Sequence, residues 1–158
     1  MITYATTKRV NRSAADAFDV IGTHVYDNHP KWEAEVLNIR RITPGPVGQG
    51  SRAVMVRRDY GRRSEVVYEV TEFEPDRSIA FHHPSAALDF NIRFELTPID
   101  EAACDVRVDV RAEPQGWARL LEPVMRRAMP KQAERITTAM AGVIEEAPQR
   151  SMRSEGEA

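Results

Sequence analysis

The chain has very little cysteine. Cys104 is the only cysteine in 158 residues, which excludes an internal disulfide and any metal site built from several cysteines. An excess of basic residues is also absent, since the formal net charge is -2 at pH 7. General affinity for nucleic acid requires a basic surface, so we expect no nucleic-acid partner.

Long apolar runs are missing as well. No window approaches the apolar length that crosses a bilayer, so we expect no integral membrane segment. The first ten residues carry polar side chains at alternate positions and lack the apolar core of a signal peptide, which predicts a cytoplasmic location. A composition of 42% hydrophobic and 29% charged residues is typical of a globular domain, and the length fits one domain.

Alternating apolar and polar residues predict strands through the middle of the chain. The clearest alternation covers residues 88–96 and 104–110, where apolar side chains occupy every second position. Such alternation gives one buried and one solvated face, which is typical of an antiparallel sheet. Further strands are predicted over residues 2–10, 35–43, 51–59, 62–73 and 78–83.

A short helix is predicted after the first strand. Ser13 followed by Asp16 is similar to a capping box, and apolar residues follow at helical spacing as far as Ile21. The stretch up to Trp32 could hold one more helical turn, although Pro30 disfavours helical geometry at His29.

A long helix is predicted from Trp117 to Glu146. Proline is tolerated in its first turns, but Pro130 lies in the interior and should kink it. The apolar stripe predicted for this helix consists of Trp117, Leu121, Val124, Ala128, Gln132, Ile136, Met140 and Val143.

These elements together predict an α+β helix-grip fold. A sheet of about seven strands must curl strongly or close, and curling around the terminal helix buries the apolar faces of both. We therefore predict a curved seven-stranded antiparallel sheet wrapped around the long C-terminal helix, with two short helices after the first strand. The predicted domain spans residues 1–147, and a disordered polar tail is expected over 148–158. A cavity between sheet and helix is a reasonable expectation.

Four motifs carry a resemblance to a known family. They are ADAFDVI at 15–21, HPKWE at 29–33, TPGPVGQGSR at 43–52 and VTEFEP at 70–75. With the strand-rich middle and the terminal helix, the chain resembles the START-like (SRPBCC) superfamily, specifically its bacterial polyketide cyclase/dehydrase and lipid-transport group. The resemblance implies the helix-grip fold. Members of this family include carriers, sensors and cyclases. The motifs include no catalytic signature, so no catalytic residue is inferred from them.

The first functional hypothesis is binding or transport of a small hydrophobic ligand, such as a lipid, an isoprenoid or an aromatic polyketide, in a cavity between the sheet and the C-terminal helix. Methionine thioethers suit such a cavity because they fill irregular space. Arg57 could pair with a ligand carboxylate if it faces the concave side, and His82 is a further polar candidate. The candidate lining residues are Trp32, Met55, Arg57, Tyr68, Phe81, Phe90, Ile92, Phe94, Val108, Met125, Met129, Ile136 and Met140.

Two alternatives remain open. One is a polyketide aromatase/cyclase or dehydratase acting in the same cavity, with His29 and Tyr68 as candidate acid–base groups. The other is a regulatory interaction module without a ligand. The basic hairpin tip from Arg57 to Arg63 could dock an acidic carrier protein, and a homodimer is also left open.

No cofactor and no metal is expected. His82 and His83 are adjacent on a predicted strand, so their side chains should point to opposite faces and cannot readily share an ion. His24, His29 and Glu33 are close in sequence, but zinc needs at least three well-placed ligands and a supporting shell, so we expect no metal site there.

Overall fold

The computed structural model describes residues 1–149, so the disordered tail expected over 148–158 lies outside the described residues except for its first two positions. The helices are α1 (Ala14–Phe18), α2 (Val25–Trp32) and α3 (Glu122–Glu146), with a π-helical turn at Asp19–Thr23 and a 3-10 helix at Gly116–Leu121. The strands are β1 (Ile2–Val10), β2 (Val36–Arg41), β3 (Arg52–Asp59), β4 (Arg62–Glu74), β5 (Ser78–Pro84), β6 (Leu88–Asp100) and β7 (Ala103–Pro114).

The strands form one curved antiparallel sheet in the order β1-β7-β6-β5-β4-β3-β2. Every neighbouring pair is antiparallel, and all pairs except β1–β7 are joined directly along the chain. The predicted seven-stranded sheet is therefore confirmed. The alternation of β7 is also confirmed, because Cys104, Val106, Val108 and Val110 are all buried.

The core lies between the concave face of the sheet and the helices. The second half of α3 supplies Met140, Ala141 and Ile144 to this core, and β1 lies beside the same helix, where Lys8 Nζ donates to Thr138 Oγ1 at 3.1 Å. The N-cap of α1 is as predicted, since Ser13 Oγ accepts from the Asp16 N–H at 3.1 Å. The helix-grip fold is confirmed.

The prediction that Pro30 disfavours helix at His29 is wrong. Pro30 lies inside α2, and His29 is helical. The helix ends two residues later, at Trp32, so the missing proline N–H affects little of it. The Glu33 N–H donates to the His29 carbonyl at 3.2 Å and closes the last turn.

The predicted apolar stripe of the C-terminal helix is wrong in its first half. Trp117 and Val124 are 70% and 65% exposed, and Ala128 and Gln132 are also exposed. Residues 116–121 form a 3-10 helix with about three residues per turn, so the phase set by Trp117 is not continued in the α-helix. Met125 and Met129, which lie off the predicted stripe, are partly buried there.

Among residues 1–149, none of the helices combines the length and the apolar character that a membrane crossing requires.

Candidate ligand-binding site

A buried carboxylate joins helix α2 to strand β3. Glu33, which follows the last residue of α2, is 9% exposed. Its Oε2 lies 2.7 Å from His29 Nε2, one helical turn earlier, and its Oε1 lies 3.1 Å from Arg57 Nη2 on β3. Although burial raises the pKa of Glu33, hydrogen bonds and the positive charges of His29 and Arg57 outweigh it and lower that pKa to about 2. Glu33 is therefore ionised at neutral pH.

Arg57 faces the concave side, which the sequence left open. Its side chain is 18% exposed, and its Nε and Nη2 both donate to Asp59 at 3.0 Å. Burial opposes the charge of Arg57, but the contacts with Asp59 and Glu33 raise its pKa. Because two carboxylates of the protein already match this guanidinium, it offers little free positive charge to a ligand.

The His29 side chain is held by two residues that follow it in the sequence, Trp32 and Glu33. Its ring stacks on Trp32 with 5.3 Å between centroids and 24° between planes. The hydrogen bond to Glu33 fixes the orientation of the imidazole through Nε2. A carboxylate on one ring nitrogen fixes an imidazole, as a positioned general acid or base requires, and in His29 the fixed nitrogen is Nε2.

Two phenol groups lie buried beside this ionic cluster. The rings of Tyr26 on α2 and Tyr68 on β4 meet edge to face with centroids 5.9 Å apart. Both hydroxyl oxygens are buried and have no hydrogen-bond partner among the described residues. Burial raises the pKa of Tyr26 and of Tyr68, so both hydroxyls remain protonated and able to donate.

His83, rather than His82, faces the interior. The His83 ring lies 5.0 Å from the Tyr68 ring and 5.5 Å from the Phe90 ring, centroid to centroid. Burial among these rings lowers the pKa of His83 to about 3, and the positive charge of nearby His29 adds to the effect, so the imidazole is neutral. His82 pairs with Asp89 on the opposite face of the strand, as the alternation of a strand requires.

The inner face of β6 is closed at one end and open at the other. Phe94 and Leu96 are 5% and 4% exposed, whereas Phe90 and Ile92 on the same face are only partly buried. The first half of α3 is likewise only partly buried at Met129. We call the partly buried apolar residues Phe90, Ile92 and Met129 the apolar cleft; all three pack against the core. The His83 ring contacts Phe90, and the Tyr68 ring in turn contacts His83.

The comparison of the sequence with protein families shows which family the chain belongs to. The model of the polyketide cyclase / dehydrase and lipid transport family matches residues 1–145. The chain belongs to this family. A search of curated proteins finds no match.

Solved structures show that this family member shares its fold with distant proteins. A START superfamily protein from Mycobacterium smegmatis is 16% identical with a TM-score of 0.72, over 91% of this chain and 97% of that one. The Zhui aromatase/cyclase from a Streptomyces species is 10% identical with a TM-score of 0.71, over 90% of each chain. Norcoclaurine synthase from Thalictrum flavum is 11% identical with a TM-score of 0.69, over 94% of this chain and 88% of that one.

The ligand-binding residues predicted for this family member divide into two groups. Those that are buried are Trp32, Met55, Tyr68, Phe81, Phe94, Val108 and Met140. Those that remain partly exposed are Arg57, Phe90, Ile92, Met125, Met129 and Ile136. Tyr26, Glu33 and His83 were not predicted to line the site. The four-residue spacing of His29 and Glu33 is a local signal that could have pointed to Glu33, whereas the packing of α2 on the sheet brings Tyr26 and His83 to the site.

Two surface cavities lie elsewhere on this family member. One, of about 380 Å³, is lined by β1 and α3 residues that include Lys8 and Thr138. The other, of about 470 Å³, lies at the start of α3 around Glu122 and Arg126. Neither contains a predicted ligand-binding residue. Within residues 1–149, no cluster of three histidine, cysteine or acidic side chains is arranged to hold a metal.

Proposed function

We propose that this member of the family binds a small, largely apolar molecule in the apolar cleft, with an oxygen atom of the ligand accepting a hydrogen bond from Tyr68. One observation carries the proposal. Tyr68, whose buried hydroxyl has no partner among the described residues, contacts the His83 ring, and that ring contacts Phe90 on an apolar surface that the protein leaves partly exposed. A bound molecule would cover that surface and supply the missing acceptor.

The energies are adequate for binding. Covering about 300 Å² of apolar ligand surface contributes roughly 7 kcal/mol before costs. A buried hydroxyl without a partner costs about 1 to 3 kcal/mol, which an acceptor on the ligand would remove. Losses of translational and rotational freedom then reduce the total to roughly micromolar affinity.

The charges favour a neutral ligand. Arg57 is matched by Glu33 and Asp59, and His83 is uncharged, so the cleft has no unmatched positive charge for a carboxylate. Among the ligand classes considered, a neutral aromatic polyketide or an oxygen-bearing isoprenoid fits better than a free fatty acid. Norcoclaurine synthase, whose structure holds dopamine and hydroxybenzaldehyde, shows aromatic molecules in a protein of this fold.

A displacement assay tests this proposal. We expect a naphthalene-type fluorescent probe to bind, and a neutral aromatic ketone to displace it at lower concentration than a fatty acid of similar size. Tyr68→Phe should weaken ketone binding about fivefold to tenfold, since one hydrogen bond contributes about 1 to 1.5 kcal/mol. Tyr60→Phe is the matched control, because Tyr60 is fully exposed on the β3–β4 turn.

Two results would contradict the proposal. A protein that binds no probe would show that the cleft closes in solution. Equal ketone affinity in wild type and Tyr68→Phe would show that the Tyr68 hydroxyl does not bind the ketone. Native mass spectrometry of freshly purified protein would independently detect a small molecule that purifies with it.

Catalysis at the same site is a second candidate, favoured by the bond between His29 and Glu33. A positioned imidazole could move protons on a poly-β-keto chain during cyclisation or dehydration. The Zhui aromatase/cyclase has the same fold at 10% identity. The test is turnover of a short poly-β-keto thioester mimic by wild type and His29→Ala; equal turnover in the two proteins would remove His29 as the acid–base group.

A further inference from the structure

Large apolar side chains are exposed where the C-terminal helix begins. Trp117 is 70%, Leu120 84%, Leu121 45% and Val124 65% exposed. We call these four residues the interfacial patch. Ala118, in the same 3-10 helix, is buried, so this segment packs on the protein while its large apolar side chains stay exposed.

The spacing groups the patch on the surface. Trp117 and Leu120 are three residues apart on a 3-10 helix, where such residues lie over one another. Leu121 and Val124 have the same spacing across the junction with α3. Single exposed apolar residues are normal, but four large ones within eight positions mark an interaction surface.

Basic residues surround the interfacial patch. Arg119, Arg126, Arg127 and Lys131 are exposed, and the acid in the same stretch is Glu122. Glu122 already pairs with Arg126 at 2.5 Å and with the terminal amine at 3.3 Å. Exposed tryptophan and leucine side chains flanked by arginines suit a partner surface that has anionic groups on the outside and an apolar layer beneath them.

We infer that the interfacial patch docks onto the headgroup region of an anionic lipid bilayer. Lysine and arginine near such a surface are attracted to acidic lipids, while tryptophan and leucine enter the boundary of the acyl region. A second copy of the chain fits less well, because pairing the same patch with itself would bring the basic residues together. This inference does not depend on the proposed function.

Vesicle binding tests the inference with full-length protein. We expect sedimentation with vesicles of phosphatidylcholine mixed with phosphatidylserine, little sedimentation with phosphatidylcholine alone, and release by added salt. Trp32 is 4% exposed, so a blue shift of the emission on binding would come from Trp117. The Trp117→Phe variant should lose that shift.

Variants separate the apolar and electrostatic contributions. Leu120→Ser should weaken vesicle binding at least about fivefold, because the leucine would no longer enter the apolar boundary. Arg127→Gln should weaken it about fivefold, the expected effect of one basic residue near an anionic surface. Leu37→Ser is the matched control, since Leu37 is 44% exposed on β2, outside the patch, and its loss should leave vesicle binding unchanged.

Three results would overturn the inference. The first is no sedimentation with phosphatidylserine vesicles, including the case in which the patch instead captures an acidic protein. The second is vesicle binding that Leu120→Ser and Arg127→Gln leave unchanged. The third is a dimer in analytical ultracentrifugation that Leu120→Ser dissociates while vesicles are not bound. None of these results alters the probe binding expected for the apolar cleft.

Discussion

At the scale of single residues, the interior combines matched charges with unmatched hydroxyls. Glu33 is charged and has a partner at each oxygen, whereas the hydroxyls of Tyr26 and Tyr68 are neutral and have no partner within residues 1–149. Burying a polar group without a partner costs free energy, so these hydroxyls lower the stability of the ligand-free protein.

Removing the Tyr68 hydroxyl should stabilise the ligand-free protein. We expect Tyr68→Phe to raise the free energy of unfolding by up to about 1 kcal/mol, because the hydroxyl is desolvated without a compensating bond. Urea denaturation of ligand-free protein measures this change, and Tyr60→Phe should leave the value unchanged. A loss of stability in Tyr68→Phe would mean that the hydroxyl has a partner in solution.

The buried imidazole of His83 predicts acid sensitivity. Its pKa falls from an ordinary 6.5 to about 3 in the folded protein, so between these values the unfolded chain binds the proton and the folded chain does not. Above pH 6.5 the imidazole is neutral in both states and does not lower the free energy of unfolding. As the pH falls from 6.5 towards 3, that free energy decreases by up to about 1.4 kcal/mol per pH unit, because the unfolded chain takes up the proton. His83→Phe should flatten the stability profile in this window.

The control for this pH dependence is the adjacent residue. His82→Gln changes a histidine on the outer face and should leave the slope caused by His83 in place. Thermal unfolding followed by circular dichroism across the window distinguishes the two variants. An unchanged slope in His83→Phe would assign the acid sensitivity to other groups.

At the scale of elements, the π-helical turn after α1 depends on close contact between a glycine and a ring. A Cβ atom on Gly22 would lie 2.6 Å from Cζ of Phe18, and that ring is fixed by an edge-to-face contact with Phe73 at 5.2 Å. Phe18, the last residue of α1, therefore connects this helix to β4, and Gly22 leaves room for its ring.

Two glycine substitutions test this contact. Gly22→Ala should lower the free energy of unfolding by about 1 to 3 kcal/mol because of overpacking. Gly142→Ala is the matched control in α3, where an added Cβ meets nothing within 4 Å, and it should stabilise the protein by up to about 1 kcal/mol. Chemical denaturation measures both. Similar effects of the two substitutions would show that Phe18 relaxes.

The elements also show where sequence patterns were sufficient. The strands follow from alternation because residues that are two apart always share a face. The stripe of the C-terminal helix does not follow from periodicity, because the 3-10 helix before Glu122 changes the number of residues per turn. Helical periodicity is reliable only from a known starting residue.

At the scale of the whole molecule, the concave face of the sheet is fully buried at one end and only partly buried at the other. Phe94 and Phe90 lie on the same face of β6 but differ in burial. We expect Phe94→Ala to cost about 3 to 5 kcal/mol of stability and Phe90→Ala distinctly less. Probe binding should show the reverse order, with Phe90→Ala losing more affinity. Equal losses of stability in urea denaturation would show that the apolar cleft is part of the solid core.

Some residues named from the sequence lie in the candidate site, and their role there stays a prediction. Arg57 and Tyr68 were expected to line it, and His29 was the candidate acid–base group; all three lie around the buried ionic and phenolic groups. Their chemical character is visible in the sequence, but apart from Glu33, one helical turn after His29, their partners are not. Glu33 and His83 come from separate elements, and no spacing rule relates them to Arg57.

The amino-acid sequence alone determined the curved antiparallel sheet, the terminal helix and their partnership, because periodic apolar residues must be buried and few architectures bury them all. Only the tertiary structure decided which polar groups face inward and which charges neutralise one another. Those properties depend on contacts between α2 and the strands β3 to β5, and on which residues of α3 face the core. Both are settled only when the chain is packed.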